Sequence, residues 1–149
     1  MSLADDFSAA ITIGDPAGIG PEIIARFFST NPVSASGSFV VGRAAVMGRA
    51  CELVGSRLRV AQFARPDEIQ FEPGTLPVLE VASSLADQVQ PGEVCAAGGQ
   101  LAYQALKVAT ALTLDGQADA VVTAPLNKKA LNAAGIDVPG HTELLAKFC

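Results

Sequence analysis

An α/β fold, with a largely parallel sheet flanked by helices, is what this sequence predicts. Short β-prone runs alternate along the chain with longer segments of helical periodicity. Half of the 149 residues are hydrophobic, yet only 5% are aromatic, with no Trp and a single Tyr. The core is therefore aliphatic and rich in Ala, which suits helices packed closely on a sheet. No internal repeat, low-complexity tract or linker interrupts the alternation, so residues 1–149 read as one α/β unit.

The elements follow in order. Residues 10–13 form a short apolar strand, followed by a glycine-rich turn and a helix whose apolar face includes Ile23, Ile24, Phe27 and Phe28. Pro21 fits the first helical turn, where its missing donor costs nothing. Residues 38–41 read as a second strand and 43–54 as a second helix. Residues 58–63 and 76–81 read as further strands, with loops at 64–74 and 83–92. The clearest helix spans 98–114, with Leu101, Ala105, Val108 and Leu112 on one stripe reinforced by Ala102, Leu106 and Ala109. Gly116 stops it. Residues 118–123 look like a buried-type strand ending at Ala124-Pro125. Asn127 caps a short helix that runs to Ala134 and ends at Gly135. A last helix starts after Gly140, with Thr142 as one candidate cap, and is still running at Cys149. A chain that stops inside an apolar helix reads as truncated, with a C-terminal part absent.

Composition excludes several classes of function. Charged residues make up 17% of the chain, and the net charge is −5. The ten Lys and Arg are scattered, so no basic stripe offers itself to a nucleic-acid backbone. No run approaches the roughly 20 apolar residues of a membrane span. The start, with Asp5 and Asp6 close behind Met1, carries no secretory signal. Cys51, Cys95 and Cys149 are odd in number and widely spaced, as in reduced packing thiols. A cytoplasmic protein without nucleic-acid or membrane partners is expected.

Three motifs carry chemistry. Gly14-Asp15-Pro16-Ala17-Gly18-Ile19-Gly20-Pro21-Glu22 joins a strand to a helix. Its glycines let backbone approach a ligand, and the helix start offers free N–H groups to an anion. The spacing is neither the dinucleotide fingerprint nor a Walker phosphate loop. A tight turn that simply needs small residues explains it equally well, and Asp15 either orients a ligand or caps the helix. The second motif, Val121 to Lys129, sits where a parallel strand ends, a favoured place for ligands. Thr123 offers a hydroxyl and Lys128 a charge for phosphate or carboxylate. Against that, Lys128 and Lys129 are also ordinary solvated helix residues, and adjacent lysines point different ways, so at most one serves a site. The third motif is Pro139-Gly140-His141-Thr142-Glu143. A lone histidine is by default structural or on the surface. Beside a glycine at a helix start, however, His141 and the Thr142 hydroxyl can grip a phosphate.

Together, in this order and separation, the three motifs resemble the 4-hydroxythreonine-4-phosphate dehydrogenase family, over essentially the whole chain after residue 9. The resemblance implies an N-terminal portion of an isocitrate/isopropylmalate dehydrogenase-like enzyme. It implies NAD-dependent oxidation of a secondary alcohol on a phosphorylated hydroxy acid, 4-phosphohydroxy-L-threonine, then loss of carbon dioxide on the route to pyridoxal phosphate. A divalent metal cation would polarise the oxygen on which negative charge grows. The substrate contacts of that family fall on His141 and Thr142, with Asp15 and Lys128 as further cleft candidates. Its three metal-binding histidines lie beyond residue 149, so no metal ligand and no catalytic residue is assigned here. The chain alone is expected to be inactive, and the whole protein to be a homodimer. Two other readings remain: a relative that oxidises a phosphorylated threonate or similar four-carbon acid, and a non-catalytic phosphate-binding or dimer-forming module.

Overall fold

A computed structural model describes residues 7–82 and 88–149. Five strands, β1 (Ala9–Thr12), β2 (Ser38–Gly42), β3 (Arg59–Phe63), β4 (Thr75–Glu80) and β5 (Ala120–Thr123), form one parallel sheet in the order β3-β4-β2-β1-β5. The α-helices among the described residues are α1 (Gly20–Thr30), α2 (Ala44–Leu53), α3 (Ala96–Leu114), α4 (Lys128–Ala133) and α5 (His141–Phe148). The α/β class and the parallel sheet are as the alternating pattern predicts.

The order of strands decides where the helices go. The chain passes from β1 through α1 to β2 on one side, whereas β4 leads through α3 to β5 on the far side of β1. Right-handed crossovers running in opposite directions place α1 and α3 on opposite faces of the sheet. Both faces are accordingly covered: every residue of β1 and β2 is buried. The main core joins Ile11 and Ile13 of the β1 segment, Val40 and Val41 of β2, Leu76 and Val78 of β4, and Leu101 and Ala105 of α3.

Helix α3 has two buried sides. One packs on the sheet. The other meets α4 and α5, where Leu106, Leu131 and Leu144 are all fully buried together. Burying each such leucine is worth about 1.5–3 kcal/mol. Close approach here depends on Gly99, since an added Cβ would lie 2.0 Å from the carbonyl oxygen of Ala130. Tyr103 of α3 completes the contact, edge-on to Phe148 with ring centroids 5.3 Å apart. Nothing in the alternation of the sequence marked this helix-on-helix layer.

Several local expectations change. Strand β5 begins at Ala120 rather than Ala118, and it is an edge strand rather than a buried one. Among the described residues only β1 pairs with it, and Val122 is 48% exposed. The expected loop at 64–74 contains a short 3-10 turn, Pro66–Glu68. Helix α3 starts two residues earlier than Gly98 because Cys95 caps it, its Sγ accepting from the Gly98 N–H at 3.4 Å. Thr142 does not cap α5, because Gly140 occupies that position with no side-chain bond. Asn127 does cap α4, with Oδ1 accepting from the N–H groups of Lys129 and Ala130. Half of the expected 83–92 loop, residues 83–87, lies outside the described residues. Cys51 is buried against the core, and burial pushes its thiol pKa up.

Candidate functional site

In a parallel sheet the crossover direction reverses at one point, and a crevice opens there beyond the carboxyl ends of the strands. In this fold the reversal lies between β1 and β5. The segments that leave those two strands are the first and second motifs, so topology alone brings them together.

The contact is made by two consecutive carbonyls after β5. The Pro125 oxygen accepts from the Asp15 N–H at 2.9 Å. The Ala124 oxygen lies 3.2 Å from Nε2 of His141. Ala124 and Pro125 therefore hold the first motif on one side and the third on the other. Gly14 has φ +70°, a left-handed backbone, and an added Cβ would sit 2.5 Å from the Pro125 oxygen. Gly20, without a left-handed backbone, is crowded too, since its Cβ would lie 2.7 Å from the Ile13 oxygen and 3.1 Å from the Ala124 Cβ. These glycines are needed for close packing between motifs, whatever else binds there.

Asp15 is 6% exposed. Its Oδ1 accepts from the Ala17 N–H at 3.0 Å, the geometry of an Asx turn. It does not cap α1, whose N-cap is Ile19 without a side-chain bond. The same carboxylate faces the first turn of α3: a Cβ on Gly98 would come within 3.2 Å of Oδ1. A negative charge beside the free N–H groups of a 19-residue helix is favourable. The end of the 83–92 segment is tied to this loop too, through the Gly92 N–H and the Ala17 oxygen at 2.7 Å.

The other candidates present themselves outward. His141 is half-buried, and Thr142 and Lys128 are exposed, at the starts of α5 and α4. Farther along the rim, Arg43 and Glu80 form an ion pair at the ends of β2 and β4, with Nε and Oε1 3.0 Å apart. The Nε–H does not point along that line, so this is a charge contact rather than a hydrogen bond. The second Glu80 oxygen accepts from the Ala44 N–H, fixing the start of α2. The structure thus brings Asp15 and His141 to one place through Ala124 and Pro125. Sequence reasoning singled out the side chains but missed these two carbonyls. A strand ending at a proline, which leaves adjacent backbone unpaired, was the available signal.

The rim is open. A cavity of about 360 Å³ lies alongside, lined by Phe7, Ile23, Phe27, Val122 and Pro125 among others, but it takes in neither Asp15, Lys128, His141 nor Thr142. Among the described residues, no three His, Cys, Asp or Glu side chains come together as a metal site. The donor set of this chain, with one histidine whose Nε2 faces a carbonyl, does not fit the divalent metal that the resemblance implies.

Fold and rim together define a parallel α/β unit with a ligand-type crevice at its switch point. The chain belongs to the family described as pyridoxal phosphate biosynthetic protein PdxA, whose profile matches residues 34–149. It is 42% identical over 140 residues to a D-threonate 4-phosphate dehydrogenase of Pectobacterium atrosepticum, covering 93% of this chain and 43% of that protein. It is 44% identical over 142 residues to a 4-hydroxythreonine-4-phosphate dehydrogenase of Beijerinckia indica, covering 95% and 42%. Among solved structures, the 4-hydroxythreonine-4-phosphate dehydrogenase of Klebsiella pneumoniae matches with a TM-score of 0.88 at 42% identity, over 96% of this chain and 44% of that one. The chain thus spans less than half the length of these dehydrogenases.

Proposed function

We propose that residues 1–149 are the N-terminal portion of a longer dehydrogenase, in which the β1/β5 rim holds a phosphorylated four-carbon hydroxy acid through His141 and Thr142. The observation that carries this reading is the meeting of all three motifs at Ala124 and Pro125, at the switch point of the sheet. In this arrangement Thr142 donates to the substrate phosphate, Lys128 contributes charge from the neighbouring helix start, and Asp15 holds the first loop in place rather than touching substrate. The whole protein oxidises a secondary alcohol with NAD and a divalent metal and loses carbon dioxide from the product. It acts as a homodimer.

The substrate we favour is 4-phosphohydroxy-L-threonine, on the route to vitamin B6 and pyridoxal phosphate. The family description and the Beijerinckia relative support it. The second reading is D-threonate 4-phosphate, which the name of the Pectobacterium relative supports at similar identity. The two acids share the phosphate and the four-carbon frame, so the same grip serves both.

Following NADH formation by the full-length gene product on each acid tests the proposal. Turnover of one acid, with none by residues 1–149 alone, is expected. Failure of the full-length protein on both acids would overturn it, as would turnover by residues 1–149 alone.

A further inference from the structure

A carbonyl oxygen can only accept a hydrogen bond, so a ring nitrogen bonded to one must carry hydrogen. For His141 that nitrogen is Nε2, 3.2 Å from the oxygen of Ala124. The carbonyl is well placed to demand it. Ala124 lies just past the end of β5, its own N–H is spent on the Thr12 oxygen, and the next residue is a proline with no N–H to offer. Outside the strand ladders and helices, no backbone N–H among the described residues donates to this oxygen. Ala124 is buried, so this oxygen would be costly without a partner, and the imidazole relieves it. Nδ1 has no hydrogen-bond partner among the described residues.

We propose that the Ala124 carbonyl fixes His141 as the Nε2–H ring, so that Nδ1 is the nitrogen offered to the ligand. This rests on His141 being a ligand contact, the reading given above, but the tautomer itself does not. In the neutral ring Nδ1 is an acceptor. Its partner on the ligand is then an O–H donor, either an alcohol or a protonated phosphate oxygen. Fully ionised phosphate oxygens fall to groups that donate, of which the Thr142 hydroxyl is the nearest in sequence. Ala124 is in these terms a positioning residue, acting through its backbone: it sets which chemistry His141 presents.

His141 is the only histidine in the chain, so one imidazole can be read without assignment ambiguity. The test is nitrogen-detected NMR of the 15N-labelled chain, with the imidazole titrated to its neutral form and the same chain in urea as reference. The expected result has a pyrrole-type Nε2 and a pyridine-type Nδ1. The Nε2 proton should be protected from solvent exchange and show a nuclear Overhauser contact to Ala124 or Pro125. A ring protonated at Nδ1 would overturn the proposal, as would a tautomer ratio no different from that in urea. No ligand enters the measurement, so its outcome is separate from whether the full-length protein turns over either acid.

Discussion

At Gly14 the requirement on a single residue can be stated in full. Its φ of +70° lies where residues with a side chain are strained, and the Pro125 oxygen stands 2.5 Å from where a Cβ would be. Both effects fall on one substitution, so Gly14→Ala is expected to destabilise the fold by about 1–3 kcal/mol, read as a lower urea midpoint. An unchanged midpoint would mean that the β1 and β5 loops are not packed as described. The sequence revealed this glycine as a turn residue but could not reveal what it approaches. The partner is a carbonyl more than a hundred residues away, and backbone atoms leave no trace in residue types. The same limit applies to Asp15. Its type and place marked it, whereas its burial and its Asx turn depend on α3, which only the fold brings near.

Among elements, α4 gives the cleanest test. It has six residues, too few to persist alone, and depends on its cap and on Leu131 seated against α3. Removing the Asn127 cap by Asn127→Ala is expected to cost about 1 kcal/mol in thermal or urea unfolding. The cap was legible from sequence because capping is local chemistry, a side chain reaching N–H groups two and three residues on. Helix α3 was legible for the same kind of reason, its stripe being a property of consecutive residues. The edge position of β5 was not. The run from Ala118 to Thr123 is as apolar as a central strand, and exposure of Val122 follows from strand order, which periodicity does not encode. Pairing of α3 with α4 and α5 was hidden likewise, since Gly99 in a helix reads as a defect until Ala130 is seen against it.

For the molecule as a whole, the direction of two crossovers places the switch point between β1 and β5, and that point gathers motifs separated by most of the chain. The family resemblance, carried by the same motifs, was readable before any geometry, and the fold explains why their order and separation matter. No helix among the described residues is long and apolar enough to cross a membrane. This rim is proposed to hold a phosphorylated substrate through His141. The most direct measurement is calorimetric titration of 4-phosphohydroxy-L-threonine and D-threonate 4-phosphate into the full-length protein and its His141→Ala variant, with unfolding midpoints recorded for both proteins. Loss of a hydrogen bond from a ligand O–H to the neutral ring is worth about 0.5–1.5 kcal/mol, so binding of the preferred acid should weaken by roughly two- to tenfold while the fold stays intact. Equal affinity in the variant would contradict the account.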